Sequence, residues 1–175
     1  MKSWILIGFF VVGGLVVLVG VVAAIGAALP RGHVATRTAS FRQPPEAIFG
    51  AITDFAHAAA WRGDLERVEV LESATGLPRF REHGAHGAIT MEVTELTAPR
   101  RLVVRIADPG LPFGGRWVYQ VEPAAEGSRL SITEEGEVYN PIFRFVSRFV
   151  LGHHKSLEDY LRALGTKFGE EVAPA

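Results

Sequence analysis

The sequence predicts an α+β fold in which a curved, seven-stranded antiparallel sheet wraps around a long C-terminal helix. Three observations predict it. Seven short strand-like segments are joined by brief turn sequences, which favours antiparallel neighbours. Two short helical segments, within 43–64, follow the first strand. Apolar residues then recur at steps of three or four from 142 to 168 and trace one helical stripe.

The chain begins with an apolar segment that precedes this fold. From Trp4 to Leu29 no residue is charged, and about 20 such residues are enough to cross a bilayer. A cleaved signal peptide is the alternative, but its apolar core spans only about 7–15 residues. We therefore predict an uncleaved transmembrane anchor over residues 1–30. The protein is then a single-pass protein of the inner or plasma membrane, in contact with membrane lipids.

Charges beside the anchor predict its orientation. Lys2 is the only charged residue before the segment, whereas three arginines lie between its end and Glu46, the first acidic residue. Positive charge is retained on the cytoplasmic side of membranes, so we expect the domain in the cytoplasm. Small residues spaced four apart predict self-association through the anchor; they are Gly20, Ala24 and Ala28.

Composition excludes several classes of function. Eighteen basic residues face 19 acidic ones, which gives no electrostatic case for a nucleic-acid partner. Without cysteine there is neither a disulfide nor a thiol nucleophile. No phosphate-binding or dinucleotide-binding motif is present, so no cofactor is expected. His83 and His86 have a spacing that could hold a metal, but no third ligand is near, and no metal site is predicted.

Residues 31–169 form the predicted domain, and residues 170–175 a disordered tail. Pro44 and Pro45 suit the first turn of a helix, Thr53 or Asp54 can cap a second one, and Gly63 ends it. The strands are predicted near 33–41, 65–72, 78–84, 87–96, 101–107, 115–122 and 128–139.

The last helix is predicted as one continuous element. Asn140 is a good N-cap and Pro141 a good first residue, and Gly152 should bend or loosen the helix locally. Its buried stripe is predicted to contain Ile142, Val146, Phe149, His153, Leu157, Tyr160, Leu164 and Phe168.

Four segments, in this order and spacing, resemble the START-like (SRPBCC) superfamily with the helix-grip fold, in particular its polyketide cyclase/dehydrase-like branch. They are "SFRQPPEAIFGAITDFAHAAAW", "VTELTAPRRLVVRI", "GGRWVYQVEP" and "SRLSITEEGEV", followed by the last helix. The resemblance covers residues 33 to about 169. It implies an internal cavity for lipids, sterols, quinones, polyketides or other apolar molecules. The family includes carriers, sensors and enzymes and has no universal catalytic residues.

Alternation along the strands predicts which side chains face the interior. Glu134 shares the inward face of its strand, and an inward carboxylate is costly unless it is paired. Glu134 and His153 are the candidate catalytic residues. The predicted ligand-binding residues are Phe80, Glu82, Ile89, Met91, Val93, Val104, Trp117, Tyr119, Ile132, Glu134, Val146, Phe149, His153 and Leu157.

Three functions are compatible with these features. The first is a membrane-anchored domain that binds a hydrophobic small molecule, such as a lipid, an isoprenoid or quinone, or a polyketide-like compound. The second is a cyclase, dehydratase or isomerase acting on an apolar substrate in the same cavity. The third is an interaction protein whose pocket is incidental. Because nothing in the chain demands catalysis, binding without turnover is favoured.

Overall fold

The computed structural model describes residues 2–85, 87–152 and 154–175 of the chain. His86 and His153 lie outside the described residues. In chain order the elements are α1 (Lys2–Ala28), β1 (Gly32–Phe41), α2 (Pro45–Thr53), a 3₁₀ helix (Phe55–Ala60), β2 (Arg67–Leu71), β3 (Arg79–Gly84), β4 (Gly87–Thr97), β5 (Arg101–Ile106), β6 (Phe113–Ala124), β7 (Gly127–Val138), α3 (Pro141–Val146), a π-helical turn (Ser147–Leu151) and α4 (Lys155–Lys167).

The sheet has the predicted seven strands, in the order β1-β7-β6-β5-β4-β3-β2, and every neighbouring pair is antiparallel. This confirms the α+β, helix-grip fold class. The longest pairing joins β6 to β7, with Trp117 opposite Glu134. The register between β4 and β5 shifts between Val93 and Glu95, and such a bulge increases the local bend of a sheet.

The core lies between the concave face of the sheet and α4. Leu157, Leu161 and Leu164 of α4 are fully buried, because their spacing puts them on one helical face. They pack against inward strand residues such as Leu130 and Ile132. Helix α2 covers part of the same face. Burying a large aliphatic side chain contributes about 1.5–3 kcal/mol, so this face fixes where α4 sits.

The C-terminal helix is not one continuous element, which corrects the prediction. Gly152 has φ 72° and ψ 174°, a conformation that ends the π-helical turn and that glycine adopts without strain. The predicted stripe is buried only from Leu157 onwards. Before the break, Ile142 and Phe149 are exposed, and Val146 is half-buried. Helix α3 packs instead against α1.

Capping agrees with the prediction at one helix and differs at another. The Asn140 side chain accepts a hydrogen bond from the Phe143 backbone N–H at 3.1 Å, as expected of an N-cap. Asp54 stands before the 3₁₀ helix without capping it, because its Oδ1 contacts His57 Nδ1 at 2.8 Å. The Thr53 hydroxyl donates back to the Phe49 carbonyl at 2.7 Å. The 3₁₀ helix ends at Ala60, before Gly63.

Residues 170–175, predicted as a disordered tail, lie against strand β1 in the structure. Ala175 and Thr38 exchange two backbone hydrogen bonds of 3.0 Å each. The buried Glu170 carboxylate accepts hydrogen bonds from the Arg42 N–H and the Gln43 side chain. Strand β1 is an edge of the sheet, and an edge strand offers unpaired backbone groups to any neighbouring segment. The tail satisfies some of these groups.

Helix α1 is long and apolar enough to cross a membrane. Its Phe10–Ala28 window has a mean hydropathy of 2.7 and is almost wholly exposed. Its C-terminal end packs against the domain, where the backbone of Pro141 lies so close to Gly26 that a Cβ there would overlap it. Glycine is therefore required at this contact.

One arginine joins the end of α1 to the end of β7. Arg144 is 7% exposed. Its Nη1 donates to the carbonyls of Gly26 at 3.0 Å and Leu29 at 2.9 Å. Its Nε and Nη2 donate to the carbonyls of Val138 and Tyr139 at 3.1 and 3.2 Å. The positive charge thus sits at the negative end of the α1 dipole and satisfies carbonyls that the helix leaves free.

Candidate ligand cavity

A cavity of about 490 Å³ lies between the concave face of the sheet and the helices. Its walls come from every strand except β2, from the short helices and from α4. They are mostly apolar and aromatic, with a few polar groups at particular places. This size and lining are typical of sites for small organic ligands.

The structure places many of the predicted residues at the cavity wall: Phe80, Glu82, Ile89, Met91, Val104, Trp117, Tyr119 and Glu134. Val93, Ile132 and Leu157 are fully buried in the core behind the wall, because α4 packs directly on that part of the sheet. Val146 is not at the wall, and Phe149 is 60% exposed, since the helix breaks after it. His153 lies outside the described residues.

The mouth of the cavity is beside the helix break. The lining residues that are exposed gather at one end, on β6, on β7 and along the chain from α3 to the start of α4; they are Arg116, Glu137, Phe143, Gly152 and Ser156. Most of the remaining lining is buried or half-buried. The break at Gly152, which the sequence predicted only as a bend, therefore forms part of the rim.

Glu134 faces the cavity, and its partner is a histidine outside the predicted set of ligand-binding residues. Glu134 Oε1 lies 3.1 Å from His33 Nε2, and the Ser156 hydroxyl donates to Oε2 at 3.5 Å. The His33 ring lies across Gly136, where any Cβ would overlap it. Alternation could have found His33, because it continues the inward set that includes the buried Ala35 of β1.

A partly buried ion pair lies at the other end of the cavity, between the 3₁₀ helix and β3. Arg62 Nη1 donates to Glu82 Oε1 at 2.5 Å, and its Nε and Nη2 donate to the two oxygens of Asp64 at 3.2 and 2.6 Å. The guanidinium also lies 5.3 Å from the centre of the Tyr160 ring. Burial alone would lower the pKa of Arg62, but the two carboxylates raise it above its usual value, so the group stays charged.

Aromatic side chains surround this end, which we call the inner end of the cavity. The Tyr160 ring is 5.3 Å from that of Trp61, 5.9 Å from Trp117 and 5.6 Å from Tyr119, in edge-on or tilted arrangements. Such pairs contribute about 0.5–1.5 kcal/mol each beyond burial. Burial raises the pKa of both Tyr119 and Tyr160, so both phenols are neutral hydrogen-bonding groups at neutral pH.

Alkaline titration should separate the three tyrosines. Tyr119 and Tyr160 have a folded-state pKa above the unfolded value of about 10, so stability is complete below about pH 10 and is lost as the pH rises further. Hydrogen bonding to Glu137 raises the pKa of Tyr139, but this side chain is exposed. We expect phenolate absorbance of the protein in detergent to show one reversible ionisation and two that accompany unfolding.

The control for this titration is Tyr139→Phe. This variant should lose the reversible ionisation and keep the two that accompany unfolding. Three independent ionisations with the fold intact would contradict the buried positions of Tyr119 and Tyr160.

Residues 33–168 match the family model described as "Polyketide cyclase / dehydrase and lipid transport". The chain belongs to this family. The match includes the whole sheet, the cavity wall and α4, and it leaves α1 outside. A search of curated proteins found no match to this chain. The polyketide cyclase/dehydrase-like membership expected from the sequence is confirmed by the family match.

Solved structures from several bacteria share the fold. A START superfamily protein from Mycobacterium smegmatis has 14% sequence identity and a TM-score of 0.60, over 79% of this chain and 97% of its own. Protein TTHA0849 from Thermus thermophilus has 20% identity and a TM-score of 0.62, over 78% and 95%. The Helicobacter pylori protein jhp0584 has 12% identity and a TM-score of 0.63, over 77% and 87%. At these identities the likeness concerns the fold alone.

Proposed function

We propose that this family member is a membrane-anchored protein that binds a hydrophobic small molecule, such as a lipid, an isoprenoid or quinone, or a polyketide-like compound. The observation that carries the proposal is the 490 Å³ cavity with apolar and aromatic walls. Leaving such a cavity empty or filling it with water is unfavourable, whereas an apolar ligand gains free energy by leaving water. The family description, which includes lipid transport, supports the same conclusion.

The contacts of Arg144 support a retained anchor. Two of its hydrogen bonds go to carbonyls at the C-terminal end of α1, those of Gly26 and Leu29. Cleavage near Ala28 would remove at least one of these acceptors from a side chain that is otherwise buried. A leader destined for removal has no need of such contacts with the mature domain. We therefore propose that α1 spans the membrane and holds the domain at its surface.

The position of the mouth suggests where the ligand comes from. Phe143, on the rim, is the neighbour of Arg144, and α3 packs directly against the end of α1. Helix α3 and the π-helical turn after it expose three apolar side chains, those of Ile142, Phe149 and Val150, and Val150 is 70% exposed. Exposed apolar side chains next to a membrane span can enter the interfacial layer of the bilayer. We propose that the ligand passes between bilayer and cavity at this rim.

The alternative is a cyclase, dehydratase or isomerase that would use Glu134 on an apolar substrate. Its 3.1 Å contact with His33 is the geometry expected of an acid–base pair. The same contact also links β7 to β1, and a structural pairing explains it without any reaction. Because this structural pairing accounts for the contact, we propose binding rather than turnover.

Filling the cavity should abolish ligand binding while the protein stays folded. Met91 and Ile106 are half-buried lining residues on β4 and β5. Replacing each by tryptophan puts extra volume into the space that the ligand needs, at a cost of about 1–3 kcal/mol in stability. We expect the affinity of the detergent-solubilised protein for an apolar fluorescent probe to fall at least about tenfold, as measured by fluorescence titration.

The matched control is Gln120→Trp, which adds the same ring at an exposed position of β6 outside the cavity. It should bind the probe as the parent protein does. Unchanged affinity in a folded Met91→Trp, Ile106→Trp double variant would show that the probe binds elsewhere and would reject the cavity as the binding site.

A further inference from the structure

The inner end of the cavity contains a hydrogen-bond donor without an acceptor. Trp61 Nε1 is buried and has no hydrogen-bond partner within the described part of the chain. The indole N–H can only donate, and an unmade hydrogen bond in a dry site is unfavourable. Trp61 lines the cavity, so a ligand atom that accepts a hydrogen bond can relieve this cost.

Tyr160 offers a second donor close to the first. Its ring lies edge-on to that of Trp61, at 5.3 Å between centres. The Tyr119 ring is 5.6 Å from that of Tyr160, so the two phenols share this end of the cavity. A phenol hydroxyl has a hydrogen to donate, and Tyr160 lines the cavity, so this hydrogen is available to a ligand.

The charges at this end determine which acceptor fits. Arg62 carries one positive charge, and Glu82 and Asp64 carry two negative charges that it neutralises only in part. The donors of Arg62 are directed at these carboxylates and are not free for a ligand. A ligand carboxylate would meet net negative charge in a partly buried place, which is costly. A neutral carbonyl oxygen would not incur this electrostatic cost.

We infer that the inner end of the cavity binds the neutral carbonyl oxygen of an otherwise apolar ligand through Trp61 Nε1–H and the Tyr160 hydroxyl, and that it rejects carboxylates. The ligand class is thus a ketone, ester or quinone rather than a free fatty acid. This inference rests on the proposed function, because it names the ligand chemistry of the same cavity.

The test is a competition experiment with the full-length protein in detergent. An apolar fluorescent probe is displaced by a long-chain methyl ketone, by the alkane of equal length or by the fatty acid of equal length at neutral pH. One or two neutral hydrogen bonds should make the ketone bind about 3- to 30-fold more tightly than the alkane. The fatty acid should bind more weakly than the ketone.

Two variants identify the donors. Trp61→Phe keeps an aromatic ring and removes the N–H, and Tyr160→Phe removes the hydroxyl. Each should reduce the preference for the ketone over the alkane about three- to tenfold, beyond any change in alkane affinity that the smaller side chain causes. Trp117→Phe is the control, because it shortens another cavity tryptophan and leaves both proposed donors in place. It should keep the preference.

Two results would overturn the inference while leaving the proposed function intact. One is probe displacement by ketone and alkane with equal affinity in the parent protein. The other is an equal loss of both affinities in the two phenylalanine variants, since this would mean that the rings act through packing alone. If the parent protein bound neither the probe nor any of the three competitors, the proposed function itself would be rejected.

Discussion

Arg144→Ala is expected to destabilise the protein and to loosen α1 from the domain. The change removes four hydrogen bonds and leaves the carbonyls of Gly26 and Leu29, at the end of a helix, without their partner. Hydrogen bonds to a charged group contribute about 1.5–3 kcal/mol each, but water can replace some of them at this junction. We therefore expect a loss of about 2–5 kcal/mol in the free energy of unfolding.

Two measurements check this prediction in detergent. Urea unfolding reports the loss of stability, and trypsin cleavage after Arg31, in the short connection between α1 and β1, reports the loosening. Arg144→Lys should lose part of this stability and be cleaved at an intermediate rate, because an ammonium cannot reach four carbonyls in the geometry of a guanidinium. The exposed Arg148→Ala should change stability by less than about 0.5 kcal/mol. Equal cleavage rates in Arg144→Ala and the parent protein would contradict the proposed junction.

The strands could be predicted closely because a strand has a local signal. Side chains alternate between the two faces, and turn residues interrupt the alternation. The same alternation correctly put Glu134 and Trp117 on the inner face. It could not reveal that His33 would be the partner of Glu134, since that contact depends on how β1 pairs with β7, about 100 residues away along the chain.

Arg144 was missed for a physical reason. Helical periodicity assigns apolar positions to the core and charged positions to the solvent. On α3 this assignment is inverted, because Arg144 is buried against the end of α1 while Ile142 is exposed. Helical periodicity therefore gives the wrong burial for a helix that packs against an apolar membrane-spanning helix instead of between a protein core and water. The same inversion is what the proposed contact with the bilayer would require.

The contacts at the inner end of the cavity could not be predicted from the sequence either. Glu82 was predicted to face inward, but its partner Arg62 lies in the irregular segment after the 3₁₀ helix, where no periodicity applies. The unpaired Trp61 N–H follows from the same local geometry. Irregular segments carry binding groups often, and their side-chain directions depend on the complete fold.

Replacing Arg62 alone should be far more damaging than replacing it together with Glu82. In Arg62→Met the Glu82 carboxylate, only 18% exposed, loses its partner at 2.5 Å. An uncompensated charge in such a place costs about 3–5 kcal/mol of stability, whereas replacing both members of a buried pair by apolar side chains is often neutral. We expect urea unfolding to show the double variant Arg62→Met, Glu82→Leu within about 1–2 kcal/mol of the parent protein.

The matched control is the exposed pair of Arg101 and Glu95, whose side chains are 37% and 43% exposed. Arg101→Met should cost less than about 1 kcal/mol, since water already solvates both groups. If the losses from the two single replacements at Arg62 and Glu82 simply added in the double variant, their coupling would be absent, and Arg62 would stabilise the fold by some other contact. Strong coupling between the two replacements would instead mean that the main role of Arg62 is to neutralise the Glu82 charge. The donors left for a ligand at the inner end would then be the uncharged Trp61 and Tyr160, as the carbonyl preference requires.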